Sequence, residues 1–141
     1  MKPSRIPRAL VRAVHERANG VCEYCRLPQE FQEAAFHVDH IRPRSAGGST
    51  RLENLALASV SCSLRKAARL DAGDPLTKKR IPLFHPRRNV WNEHFSWRND
   101  WRLIGLTPQG RATITALRMN RAEILAIRRL LASVRLFPPT G

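Results

Sequence analysis

Three cysteines constrain this chain more than any other feature. Cys22 and Cys25 stand two residues apart, and Cys62 follows well downstream. An odd number of thiols argues against a disulfide scaffold and for free thiols or metal ligands in a reducing compartment. A fold built around them has to bring a tight turn and a later segment to one point. Two readings stay open here: a metal site, or three thiols packed in an apolar knuckle. The opening stretch, MKPSRIPRALVRAVHERANG, is basic and lacks a continuous apolar run, so no signal peptide is expected.

Charge sets the second constraint. The chain has 141 residues, with 25 Lys and Arg against 11 Asp and Glu, a net charge of +14. Residues 1–60 hold nine basic and six acidic side chains, so most of the excess lies in the second half. Such a surface attracts polyanions, nucleic acid first and anionic membrane second. No apolar run is long enough to cross a bilayer. The length suits one domain with a sizeable core.

Periodicity and punctuation predict the elements. Leu10, Val11, Val14 and Ala18 recur at helical spacing over residues 8–18, and Asn19-Gly20 supplies a left-handed stop. Residues 35–42 alternate as a short strand, and Leu55 begins a second one beyond Pro43 and Gly47-Gly48. Residues 62–71 read as a helix with Arg65, Lys66 and Arg69 on one face. Residues 73–90, rich in Pro and cations, read as an irregular basic arm anchored by Ile81, Leu83 and Phe84. A hairpin is expected over 94–98 and 101–105. Thr107-Pro108 signals a helix start, and Asn120 with Glu123 resembles a capping box. The helix behind it places Ile124, Ile127, Leu131 and Val134 on an apolar stripe, with Arg128, Arg129 and Arg135 off it.

The chemistry gathers between positions 22 and 66. His37-Val38-Asp39-His40 lies on the first strand, Asn54 beyond a Gly-rich loop, and Cys62, Ser63 and Lys66 on the following helix. Hydrolysis of a phosphodiester needs an activated water and relief of negative charge. Asp39 is a hard oxygen ligand suited to Mg²⁺, and His40 titrates near neutral pH and can take a proton from water. Neighbouring strand residues point to opposite faces, so a bulge is expected if both are to face one substrate. His37, two residues from Asp39, shares its face and reads as a packing or hydrogen-bonding partner. His85 and His94 read as structural, beside core aromatics Trp91 and Trp97.

Taken together, CEYC at 22–25, HVDHI at 37–41, PRSAGG at 43–48, NLALA at 54–58 and CSLRK at 62–66 resemble the HNH (His-Me finger, ββα-metal) endonucleases. LFHPRRNVWNEHFSW at 83–97 and GLTPQGRATITALRMNR at 105–121 are similar to the tail of one bacterial branch. The resemblance implies an α+β fold: a ββα-metal core with an N-terminal helix and a C-terminal extension of a hairpin plus helices. Residues 1–72 would be the nuclease core with its Cys knuckle, and residues 73–141 a basic extension packed on it. It implies a DNA-cleaving enzyme with Mg²⁺ or another divalent cation, no membrane partner, and a cytoplasmic setting in a bacterium or phage. Asp39 would be the metal ligand, His40 the general base, and Asn54 the residue that positions the loop. Arg42, Arg44, Lys66, Lys78, Lys79, Arg80, Arg87 and Arg88 are the expected contacts to the nucleic-acid backbone.

Two positions depart from the family pattern. Ser63 stands where Asn or His usually gives the second ligand to the catalytic ion. Ser59 stands where a fourth Cys usually completes a structural Zn²⁺ site with Cys22, Cys25 and Cys62. Both departures weaken a metal site, so the alternative reading is an HNH-type nucleic-acid binder with reduced or lost catalysis.

Overall fold

The computed structural model describes residues 6–139, a mixed α+β arrangement of small antiparallel sheets and helices. The first helix, α1, runs Arg8–Ala18 as its spacing predicts. Val14 is fully buried, and Asn19 closes the helix in the left-handed conformation with φ 54°. Strand β1 (His37–His40) pairs antiparallel with β2 (Leu55–Ala58), His37 opposite Ala58 and His40 opposite Leu55. Every residue of β2 is fully buried, which its sequence Leu-Ala-Leu-Ala allows because both faces are apolar. Helix α2 (Val60–Lys66) follows at once, capped by the Ser59 hydroxyl, which accepts from the Cys62 amide at 3.3 Å. Ala67, with φ 48°, ends it there, five residues short of the end of the predicted 62–71 helix.

The next segment is more regular than expected. At the junction of the predicted helix and basic arm, β3 (Asp71–Gly73) pairs with β4 (Arg80–Pro82) as a short hairpin. Asp74 holds its turn together by accepting from the Leu76 amide and the Thr77 hydroxyl. Helix α3 (Trp91–His94) leads into β5 (Phe95–Trp97), which pairs with β6 (Leu103–Gly105) as the predicted hairpin. Helix α4 (Pro108–Leu117) starts at Thr107, whose hydroxyl accepts from the Gly110 amide at 3.0 Å. A Cβ at Gly110 would sit 2.1 Å from the His94 carbonyl oxygen, so this close approach requires glycine.

Helix α5 (Ala122–Ser133) corrects two expectations. Asn120 makes no capping box; its carboxamide instead bonds both the amide and the carbonyl of Leu103, tying the hairpin to the helix. Arg128, expected off the buried stripe, is fully buried, whereas Val134 lies past the helix end and is exposed. The Arg128 guanidinium donates to the carbonyls of Trp101 and Met119 and stacks 5.0 Å from the Trp97 ring centroid. These carbonyls, the Asn120 Oδ1 and the ring face replace water at Nη1 and Nη2, while Nε is left without a hydrogen-bond partner.

One apolar cluster joins both halves of the chain. It includes Val14, Tyr24, Leu55 and Leu57 from the first half and Phe84, Trp91, Phe95 and Ile124 from the second. The Trp91 indole donates to the Tyr24 carbonyl at 2.8 Å, which anchors the turn bearing Cys22 and Cys25 to α3. That contact, with Phe84 edge-on to Tyr24, sets the floor on which the candidate site rests.

Candidate active site and cysteine knuckle

The knuckle is built from backbone first. The Cys22 amide donates to the Leu27 carbonyl, the Arg26 amide to the Cys22 carbonyl, and the Cys25 amide to Cys22 Sγ at 3.4 Å. Glu23 then locks this turn to β2: its amide donates to the Leu57 carbonyl and its carboxylate accepts from the Leu57 amide at 2.8 Å. Cys62 arrives from the first turn of α2. All three thiols are buried, and their sulfurs lie within 4.8 Å of one another. Ser59 Oγ is 3.7 Å from Cys25 Sγ.

This donor set fits a structural metal ion. Sulfurs around a tetrahedral zinc, with bonds near 2.3 Å, sit about 3.8 Å apart. The three thiols approach that spacing, and Ser59 stands at the fourth side. Without an ion the thiols share protons unevenly. Burial pushes Cys22 up to about 11, and the adjoining sulfurs with burial push Cys62 up as well. Cys25 falls well below the usual thiol range because it accepts hydrogen bonds from the other two.

Strand β1 separates the two residues expected to act together. Its pairing with β2 runs through His40 without the expected bulge, so alternation sends the two side chains apart. The Asp39 carboxylate turns inward, nine-tenths buried, and meets the Lys66 ammonium at 3.0 Å. Lys66, only 2% exposed, also donates to the His40 carbonyl at 3.0 Å. Burial raises the Asp39 carboxyl above its usual value, and Lys66 offsets part of that rise. Lys66 is thus turned toward Asp39, whereas the sequence suggests a phosphate contact.

His40 turns outward. Its Nε2 lies 2.9 Å from the Thr50 hydroxyl. Partial burial, with Arg44 and Lys66 nearby, lowers its pKa, so the imidazole is neutral at pH 7. Asn54 sits behind it and holds the loop from both sides. Its Oδ1 accepts from the Arg42 amide at 2.9 Å, and its Nδ2 donates to the carbonyls of Arg42 and Ser49. Gly48 is required here, since a Cβ would lie 1.8 Å from the Arg42 carbonyl oxygen. The bend that β1 lacks is therefore supplied by the loop directly after it.

Ser63 bonds the His37 ring at 2.9 Å through Nδ1, so His37 does take a hydrogen-bonding role on the Asp39 side of β1. The Asp39–Ser63 pair does not fit a divalent ion as placed. The carboxylate is already neutralised by a buried ammonium, and the hydroxyl is already bonded to an imidazole.

Among the expected backbone contacts, two besides Lys66 are paired with carboxylates. Arg80 pairs with Asp71, and Arg87 pairs with Glu23, where burial draws its pKa down to about 10. Arg42 donates through Nε to the Ala46 carbonyl and stays exposed, as do Arg44, Lys78, Lys79 and Arg88. Arg69, which the sequence placed only on a helix face, belongs with this exposed set. Arg128 also went unrecognised, and its sequence signal was its place four positions after Ile124 and three before Leu131, on the buried stripe itself.

Residues 22–69 match the HNH endonuclease family model. The matched span begins at the first knuckle cysteine and ends just past Lys66, so it covers the knuckle, β1, the His40 loop, β2 and α2. No curated protein and no solved structure gave a significant match. The HNH match supports a nuclease-type function for the segment that carries His40 and Asn54. Among the described residues, no helix is long and apolar enough to cross a membrane.

Proposed function

We propose that the chain is an HNH-type endonuclease that hydrolyses DNA phosphodiester bonds, with residues 1–72 as a ββα-metal nuclease core and residues 73–141 as its basic extension. The observation that carries this reading is the Asn54 carboxamide, whose three hydrogen bonds hold the loop after a neutral, outward-facing His40. In the tautomer that donates Nε2–H to Thr50, Nδ1 keeps its lone pair for water. Water then attacks phosphorus as its proton passes to Nδ1, the bond from phosphorus to the leaving sugar oxygen breaks, and that oxygen takes a proton from solvent. Arg42 and Arg88, both exposed, offset phosphate charge. Cys22, Cys25 and Cys62 would hold a structural Zn²⁺, with Ser59 or water completing it.

The Lys66–Asp39 ion pair favours a second reading, in which the same surface binds nucleic acid without cutting it. Plasmid incubation decides between them. Nicking or linearisation with Mg²⁺ or Mn²⁺, reduced about 100-fold or more by His40→Ala, supports the nuclease. Cleavage that survives His40→Ala marks a contaminant, and no cleavage with any divalent ion leaves the binder. Either reading predicts salt-sensitive affinity. Binding to a short duplex should fall about tenfold or more between 50 and 200 mM salt; unchanged affinity would rule out a backbone-gripping surface.

A further inference from the structure

A cavity of about 440 Å³ opens beside the His40 loop, between that loop, the end of α2, the segment after β4 and the start of α4. That size falls in the range of small-molecule sites. Its walls are chemically divided. Arg42, Arg69 and Arg88 contribute three exposed cations, against one carboxylate from Glu53, which is exposed and 4.0 Å from Arg51; Lys66 also lines the wall but is buried and paired with Asp39. Among the described residues the guanidiniums of Arg69 and Arg88 have no hydrogen bond or ion pair, in contrast to Arg80 and Arg87. The floor is apolar, formed by Ile41, Leu83 and Phe84, all buried, with Leu70 at 43% exposure.

Two carboxamides add a third chemistry. Asn89 uses Oδ1 to accept from the His85 amide, which leaves its NH₂ group to donate. Gln109 uses Nε2 to donate to the Leu83 carbonyl, which leaves its Oε1 to accept. A flat apolar body with an edge of donors and acceptors, joined to anionic groups, matches these walls. A nucleotide has that composition; a bare phosphate leaves the apolar floor and the amides without a partner. The cavity also shares structure with the candidate site. Ile41 and Arg42 directly follow His40, and Asn54 both lines the cavity and holds Arg42.

We propose that this cavity takes one unstacked nucleotide of the substrate strand, its base over Ile41, Leu83 and Phe84 and its phosphates among Arg42, Arg69 and Arg88. The inference rests on the nucleic-acid reading above for the identity of the strand. A base stacked inside a continuous duplex cannot reach such a site, so the chain prefers DNA with an unpaired nucleotide.

Anisotropy titrations of the full chain carrying His40→Ala, without added Mg²⁺ or Mn²⁺ so that nothing is cut, test this. The probes are a 20-base-pair duplex and the same duplex with one bulged 2-aminopurine nucleotide. The bulged duplex should bind about tenfold tighter, and the 2-aminopurine emission should rise as its base leaves the stack. Leu70→Trp, which fills the mouth from an exposed position, should remove the preference and leave plain-duplex affinity within about twofold. Deoxyadenosine monophosphate that displaces the bulged duplex but not the plain one supports the same pocket. Equal affinity for the two duplexes, or a preference untouched by Leu70→Trp, overturns it. No readout here involves cleavage, so this proposal and the nuclease reading can fail separately.

Discussion

Asp39 and Asp74 are both buried carboxylates paired with a cation, and their circumstances are opposite. Asp74 accepts two parallel bonds from Arg111, both 2.9 Å, plus the Leu76 amide and the Thr77 hydroxyl. That full set holds its carboxyl well below the usual range. Asp39 has the Lys66 ammonium at 3.0 Å with the Tyr24 hydroxyl as a lesser partner, and burial prevails, so its carboxyl is raised above its usual value. Arg111 fits a carboxylate as a planar fork, while lysine offers a point charge. Asp74 is spent on structure, joining the β3–β4 hairpin to α4. Asp39 is neutralised by Lys66 but held by fewer donors, so burial weighs more on it.

Removing each cation tests that contrast most severely. Lys66→Met leaves Asp39 buried beside no positive charge and should cost about 3 kcal/mol of unfolding free energy at pH 7. The same substitution should cost less near pH 5, because Asp39 can take up a proton instead. Arg111→Met should lower the thermal midpoint at both pH values, because the remaining donors to Asp74 keep it ionised. Denaturant melts at the two pH values check this, and equal pH dependence in the two variants would erase the distinction.

The knuckle offers a second test, since its turn is locked to the strand that pairs with Asp39. Ser59→Cys would give the thiol cluster its fourth sulfur. If each ligand supplies about a quarter of a structural zinc site's binding energy, affinity should rise by about 3 kcal/mol, or roughly 100-fold. Competition with a chromophoric chelator measures this. The variant should hold one zinc per chain after dialysis under conditions that strip the parent. Unchanged zinc affinity would mean that the three thiols are a packed knuckle and not a metal site.

Much of this was legible in the sequence, for identifiable reasons. Local signals were sufficient for α1, whose apolar spacing and Asn19-Gly20 stop agree, and for α4, where Thr107-Pro108 caps and starts the helix. The order of Cys22, Cys25, Asp39, His40, Asn54 and Cys62 pointed to the HNH family before any contact was known. What stayed hidden depends on partners distant in the chain. The hairpin of β3 and β4 is three residues per strand and is held by Arg111, thirty-seven positions beyond Asp74. Asn120 looked like a cap, yet it binds Leu103 seventeen positions earlier. Lys66 and Arg128 carry charges that usually stay in water, and only tertiary acceptors explain their burial.

The smallest expected effect is the most specific to the comparison, because the two carboxylates should respond to acid with opposite signs. Asp74 has a folded pKa below its unfolded value, near 3.9, so its stabilisation is present above about pH 4 and is lost as pH falls through the folded value. The gap in thermal midpoint between the parent and Asp74→Asn should therefore narrow on acidification. Asp39 has a folded pKa above its unfolded value, so its contribution is fully present below about pH 4 and is lost as pH rises through the folded value. Relative to Asp39→Asn, the parent should gain stability as pH falls from 7 to 4. Measuring both variants across the same pH series isolates each group against a shared background. A parallel response would show that Lys66 satisfies Asp39 as fully as Arg111 satisfies Asp74, and the contrast between the two carboxylates would be gone.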